Sequence, residues 1–307
     1  MVTTNQLLSA ARDFGKGKID TVQRTISMYE SAMGDAIRSD LAVTCNIAFG
    51  AHKNQVLDVY VPPKNHLVSD ARPVVVFSHQ GGFIARDKSD IEAVVVGKFF
   101  SHRGLVCVIP NYRLAPDGAW PAGAEDVAAA SRWVSENIAS FGGNPDRMVL
   151  FGLSSGATHA ATYALHRSFA ADACPGYRGL ILASGRYLLP PDDPDPNLFH
   201  NYGRPKISAY FGSDRALWHE RQMSGNVIAT KLPILLIIAE LDNLMFEVNT
   251  IAMLKELTDK TNRMPRFIQV AGHNHISYYF HLGAPDDPVG PDLLDFVFRV
   301  TDDGIRS

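Results

Sequence analysis

The stretch Met148-Val149-Leu150-Phe151-Gly152-Leu153-Ser154-Ser155-Gly156-Ala157 decides how the rest of the chain is read. Four apolar residues in a row describe a buried strand. The run breaks off at Gly152-Leu153-Ser154-Ser155-Gly156, and small residues with helical character follow. A strand that enters a helix through a turn with glycine two places before and two places after a central serine has the form of a nucleophile elbow. The turn is so sharp that side chains at the flanking positions would collide with backbone. The central residue, Ser154, is predicted to take a strained conformation with its hydroxyl raised above the sheet.

Working outward from the elbow, near-continuous apolar runs recur: Pro73–Ser78, Leu105–Pro110, Gly179–Ser184 and Pro233–Ala239. Stretches with helical spacing, such as Val127–Ile138 and Thr250–Leu257, separate them. Uninterrupted apolar strands alternating with helices predict a parallel sheet covered on both faces, and hence a doubly wound α/β fold. Ahead of this region lie Thr44–Phe49 and Asn54–Val61. The latter alternates imperfectly and is predicted to be a half-exposed antiparallel edge strand.

Residues 1–40 precede any strand signal and carry apolar positions at mixed helical spacing, among them Leu7, Leu8, Ile26, Tyr29 and Ile37. They read as one or two helices packed over the main body, either as a lid or as an arm with a structural or oligomeric role. Residues 41–307 then form the α/β domain. Within it, the stretch of about 185–229 is too long for a simple connector. It runs from a proline- and aspartate-rich segment, Pro190–Pro196, into an aromatic one with Phe199, Tyr202, Tyr210, Phe211 and Trp218. It is predicted to be a cap-like insertion between the sixth and seventh strands, walling a pocket at the carboxyl ends of the strands, where open α/β sheets bind ligands.

Composition sets bounds on function. The 307 residues suffice for one large α/β domain or two small ones, and 46% hydrophobic with 20% charged residues is ordinary for a globular enzyme. A net charge of −3 gives no electrostatic reason to expect nucleic acid or an anionic membrane as a partner. Cys45, Cys107 and Cys174 suggest neither a disulfide framework nor a metal cluster, and Cys107 reads as a small core residue. No apolar run approaches the ~20 residues that span a bilayer. MVTTNQLLSA lacks the basic and apolar regions of a signal peptide, so a reducing, cytoplasmic setting is the default expectation. A homodimer is compatible with this composition.

A serine hydroxyl is a weak nucleophile without a base, so the elbow calls for an acid and a histidine at later strand ends. The run Leu232–Ala239 ends in Glu240-Leu241-Asp242-Asn243-Leu244; Asp242 is favoured as the acid, with Glu240 and Glu247 as competitors. The run Arg266–Val270 ends in Ala271-Gly272-His273-Asn274-His275. His275 lies further into that loop and is favoured as the base over His273. His200, His219 and His281 are read as structural or exposed. The run Val74–Ser78 ends in His79-Gln80-Gly81-Gly82-Phe83, where glycines let backbone N–H groups approach a ligand. Gly81 and Gly82, joined by Ser155, are the predicted oxyanion-hole donors.

These signals sit at successive strand ends in one order. With Asn111-Tyr112-Arg113-Leu114-Ala115-Pro116, Trp120-Pro121, Glu125-Asp126-Val127 and Gly142-Gly143-Asn144-Pro145-Asp146-Arg147, they make the chain resemble the α/β-hydrolases of the hormone-sensitive lipase and carboxylesterase type over roughly residues 55–300. Small esterases and kynurenine-formamidase-like hydrolases are near relatives of that type. Asp242 falls on the family's acid, and His275 on its base, the fourth position of Gly-x-x-His. Gln80 replaces the first glycine of the family's His-Gly-Gly-Gly motif. Leu153 and Ala157 replace residues common around the nucleophile.

The resemblance implies a serine hydrolase that cleaves carboxylic esters of small to medium size through an acyl-enzyme, with no cofactor and no metal. Amide, formamide or lactone cleavage by the same residues is a rival expectation, and a ligand-binding protein on the same fold is another. Gln80, Phe83, Tyr187, Met245 and Tyr278 are candidate substrate contacts, with Ile84, Trp120 and Phe246 as further candidate walls. Tyr112, Arg113 and Asp126 are read as supports beneath the site.

Overall fold

A computed structural model describes residues 3–14, 21–63, 71–172, 176–189 and 204–302. Eight strands form one sheet: β1 (Val43–Ala48), β2 (Val56–Tyr60), β3 (Arg72–Ser78), β4 (Val106–Pro110), β5 (Gly143–Leu153), β6 (Tyr177–Ala183), β7 (Ile234–Ala239) and β8 (Arg266–Val270). Their spatial order is β1-β2-β4-β3-β5-β6-β7-β8. The β1–β2 and β2–β4 pairs are antiparallel and every other pair is parallel.

The apolar runs are continuous because side chains leave each strand on alternate faces and both faces are covered. Val75, Phe77, Val149, Phe151, Ile181 and Leu235 enter one core, beneath α1 (Thr4–Asp13), α2 (Thr21–Arg38), α3 (Ile91–Ser101) and α9 (Gly290–Thr301). Val74, Val76, Leu150, Leu180 and Leu236 enter the other, beneath α4 (Ala122–Asn137), α5 (Ser155–Leu165) and α8 (Leu244–Thr261). Cys107 is buried in the first core as a free thiol, while Cys45 is exposed. Cys174 lies outside the described residues.

The expectation of a half-exposed edge strand over 54–61 is corrected. β2 lies between β1 and β4, and β1, largely exposed, is the edge. Asp58, a polar residue on the side of that alternation expected to face solvent, is buried against Lys88 Nζ at 3.0 Å. A buried carboxylate needs such a partner.

Of the insertion, Gly185–Leu189 and residues 204–229 are described, while Pro190–Pro196, Phe199, His200 and Tyr202 lie outside the described residues. Helices α6 (Arg204–Phe211) and α7 (Trp218–Arg221) carry Ile207, Tyr210, Phe211 and Trp218 into a third apolar cluster with Phe83, Ala115 and Leu189. The insertion therefore docks on the loop after β3, at the carboxyl ends of the strands. Among the described residues, no helix is long and apolar enough to cross a membrane.

Candidate active site

Ser154 joins β5 to α5 with φ 55° and ψ −119°, a strained geometry for a residue with a side chain. The flanking glycines are demanded by space. A Cβ on Gly152 would lie 2.5 Å from Ala157 Cα, and one on Gly156 would lie 2.0 Å from Ser78 O. Both contacts are with backbone, so neither yields to a side-chain rotation. The Ser154 amide donates to Ala183 O at 2.8 Å, tying the elbow to the end of β6.

The next residue on β6's exit, Ser184, carries the link onward. Its Oγ donates to Asp242 Oδ2 at 2.6 Å, and its backbone has φ 46°. Asp242 follows β7 and is almost fully buried. Its other oxygen, Oδ1, lies 2.7 Å from His275 Nδ1. Phe246, in the first turn of α8, stacks on the His275 ring at 4.3 Å and 25°. Thus Ser184, Asp242 and His275, just past β6, β7 and β8, form one hydrogen-bonded group, and the Ser154 amide is tied to the end of β6 beside it.

Glu240 and His273 bond elsewhere. Glu240 Oε2 accepts from the Gly272 amide at 2.5 Å and so braces the loop that follows β8. His273 Nδ1 lies 3.1 Å from Ser277 Oγ, and its ring meets His281 edge-on at 5.0 Å. Burial, with the charge of His281 second, pushes His273 down to about 4. His281 is itself fully buried between Tyr29 and Asp286.

The loop after β3 turns sharply, with φ of 151° at Gly81, 59° at Gly82 and 74° at Phe83. A Cβ on Gly81 would fall 1.8 Å from Ala85 O. Gly81 O accepts from the amides of Ile84 and Ala85 at 3.3 and 3.2 Å. Ser155 is the first residue of α5, where amides have no partner within the helix. Below, the His79 ring stacks on Tyr112 at 4.5 Å, and Tyr112 Oη donates to His79 O at 2.8 Å. Arg113 Nε reaches both Asp126 oxygens at 3.0 Å, which fixes the segment after β4. Tyr112 therefore lies against the loop, while Arg113 and Asp126 bond to each other in the segment after β4.

The expected substrate contacts have the following surroundings. Gln80 turns its amide down: Nε2 donates to Glu92 Oε1 in α3 at 2.9 Å, and Oε1 is buried without a partner. Tyr187 and Tyr278 are fully buried in the two opposite cores, and burial raises both phenols far above their ordinary range. Phe83 stacks on Tyr210 of the insertion at 4.6 Å, while Met245 rests against the Arg186 guanidinium. Bulky residues next to strand ends look alike in sequence whether they face a pocket or the core. Ser184 carried no sequence signal beyond being a polar residue that ends an apolar run.

The carboxylesterase family profile matches residues 55–192. The carboxylesterase NlhH of Mycobacterium tuberculosis is 39% identical over 106 residues, which is 34% of this chain and 32% of that protein. An acylcarnitine hydrolase of Mus musculus is 34% identical over 144 residues, 44% of this chain and 24% of that one. The chain thus spans about a third or less of the length of these curated relatives. Among solved structures, esterase B from Lactobacillus rhamnosis superposes with a TM-score of 0.73 at 18% identity, covering 98% of this chain and 97% of that one. A hyperthermophilic esterase from Pyrobaculum calidifontis gives 0.69 at 18% identity over 98% and 97%. Strand order and superposition give this chain the α/β-hydrolase fold, and residues 55–192 are similar to the carboxylesterase family.

Proposed function

We propose that the chain is a serine esterase that cleaves carboxylic esters of small to medium size through an acyl-enzyme, with Ser154, His275 and Asp242 as nucleophile, base and acid. The observation that carries this reading is the Asp242 carboxylate, with one oxygen 2.7 Å from His275 Nδ1 and the other held by Ser184. A proton on Nδ1 leaves the Nε2 lone pair as the only basic site on the ring.

In this mechanism Ser154 Oγ attacks the ester carbonyl as its proton passes to His275 Nε2, and Asp242 stabilises the imidazolium. The carbonyl oxygen becomes an oxyanion that the amides of Gly81, Gly82 and Ser155 receive, each donor worth ~3–4 kcal/mol in the transition state. Collapse breaks the C–O bond, and the departing alcohol takes the proton from Nε2. Water then attacks the acyl-enzyme, gives its proton to His275, and the carboxylic acid leaves as Ser154 is restored. Phe246 limits ring rotation by stacking, so the base keeps its aim between the two halves.

The test is hydrolysis of p-nitrophenyl esters from acetate to decanoate by wild type and Ser154→Ala. Turnover is expected to fall by roughly 10⁶-fold in the variant, the scale of losing a serine nucleophile. A folded alanine variant that kept its activity would overturn the assignment. No ester turnover by folded wild type would overturn the esterase reading.

A further inference from the structure

The loop that bears His275 is held from outside the sheet by the amino-terminal helices. Arg12 Nε, at the end of α1, donates to Gly272 O at 2.8 Å. Asn274 Nδ2 donates to Thr25 Oγ1 of α2 at 3.0 Å and reaches Ala11 O at 3.5 Å. Further along, Tyr29 Oη lies 2.7 Å from His281 Nε2, and the Tyr29 ring stacks on Phe280 at 4.6 Å and 9°. Thr4 Oγ1 donates to Asp286 Oδ1 at 3.2 Å, the same carboxylate that meets His281.

Asn274 is the joint. It directly precedes His275, and its Oδ1 accepts the amides of Ile276 and Ser277 at 3.2 and 3.1 Å, which closes the turn around the base. Oδ1 is spent on the turn and Nδ2 on the arm. The position of the carboxamide, and with it the path of the turn, is thereby set by α1 and α2. Thr25, Tyr29 and His281 are fully buried and Asn274 nearly so. A lid must open and expose what it covers, so its contacts need to be ones that water can replace. Buried, mutually bonded polar groups behave in the opposite way, because separating them strands each one.

The same helix also touches the other half of the site. Gln23 Oε1 accepts from Arg86 Nη2 at 2.7 Å, and Arg86 Nε lies 3.4 Å from the Glu92 oxygen that holds Gln80. One helix therefore reaches both the loop with the base and the support of the glycine loop.

We infer that α1 and α2 form a fixed brace that registers the 272–281 loop against Asp242, with Thr25 and Arg12 as positioning residues for His275. The inference rests on the proposed role of His275, and its test separates the two. Wild type, Thr25→Val, Thr25→Ser and Arg12→Met are compared as the full chain. Three readouts are taken: kcat and KM on p-nitrophenyl butyrate, thermal midpoint, and amide hydrogen exchange over 272–281. Small displacements of a reacting group cost large factors, so Thr25→Val is expected to lower kcat about tenfold or more with KM nearly unchanged. Exchange over 272–281 is expected to quicken while exchange over β5 and α5 holds. Thr25→Ser, which keeps the hydroxyl, is expected to behave as wild type. Arg12 is exposed, so Arg12→Met supplies the same readouts should Thr25→Val not fold.

A lower midpoint with unchanged kcat and unchanged loop exchange would overturn the brace, as would a change in KM and chain-length preference with kcat intact, the signature of a lid. A wild type without Ser154-dependent turnover would sink the esterase reading instead, and loop exchange alone would then decide the brace.

Discussion

Acidification is expected to destabilise this protein through His159, and the size of the effect follows from the surroundings of that ring. His159 sits one turn after Ser155 on α5, walled by Tyr112 at 4.5 Å, Tyr210 at 5.0 Å and Phe83 at 5.4 Å. A Cβ on Gly123 would come within 2.3 Å of the ring, so the fourth side is closed by bare backbone. Nδ1 lies 3.2 Å from Tyr210 Oη, and Nε2 is buried with no partner. Such a site accepts a neutral imidazole and excludes a charged one. Burial, with the neighbouring His79 second, lowers His159 to about 3.

A histidine whose pKa is lowered by folding binds its proton more readily in the unfolded chain. Its contribution is therefore complete above the unfolded value of about 6.5 and is lost as pH falls from there toward about 3. Each pH unit in that window costs ~1.4 kcal/mol, so between pH 7 and pH 5 His159 alone removes ~2 kcal/mol. His273, lowered to about 4, acts in the same direction. The perturbation is His159→Phe, which keeps a flat ring in the cage and cannot be protonated. Urea unfolding of wild type and variant at pH 7, 6 and 5 gives the comparison. The variant is expected to lose ~2 kcal/mol less than wild type between pH 7 and 5, whatever its stability at pH 7. Equal losses in both proteins would mean that His159 is not the buried neutral group described.

Three further outcomes are expected. Ser184→Ala removes a hydrogen bond to a buried carboxylate, a class of bond worth ~1.5–3 kcal/mol, so kcat on a p-nitrophenyl ester should fall roughly ten- to a hundredfold with KM little changed; rates within twofold of wild type would deny Ser184 a part in orienting Asp242. Glu92→Gln keeps an oxygen for Gln80 Nε2 and discards a charge that burial disfavours, so the thermal midpoint should hold or rise, whereas Glu92→Leu strands the buried Gln80 amide and should cost ~1–3 kcal/mol with a fall in kcat. Equal midpoints for those two variants would show that the Gln80 contact contributes nothing. Gly156→Ala drives a Cβ to 2.0 Å from Ser78 O, and soluble protein with a wild-type midpoint would contradict the packing of the elbow against β3.

The parallel strands were legible because burial on both faces leaves an unbroken apolar run, and β3 to β7 all appear in the sequence that way. β2 was misread for a reason of range. Asp58 gives it the alternation of a half-exposed strand, and the cation that permits a buried carboxylate, Lys88, stands on a loop after the next strand, where no local pattern points to it. The amino-terminal helices were legible as helices, since amphipathic spacing is local. Their docking was not, because Thr25 meets Asn274 across a separation of 249 residues and neither residue type announces a partner.

The site divides along the same line. The elbow could be read because its constraint is steric and short-ranged: Gly152 is forced by Ala157, five residues away, and Ser154 follows from the glycines around it. The choice between His273 and His275 could not be reached in that way, since both follow the same strand and differ only in which way the turn sends them. What sends His275 to Asp242 and His273 to Ser277 is the turn closed by Asn274 Oδ1, and the carboxamide that closes it is itself held by Thr25 and Ala11. The direction of the His275 ring is therefore a tertiary property, carried by residues that no motif contains. A substitution at Thr25 stands more than a hundred residues from Ser154 in sequence, yet under the proposed mechanism it bears on the same proton transfer. That is why the brace, rather than the elbow, is the part of this site that sequence similarity alone does not supply.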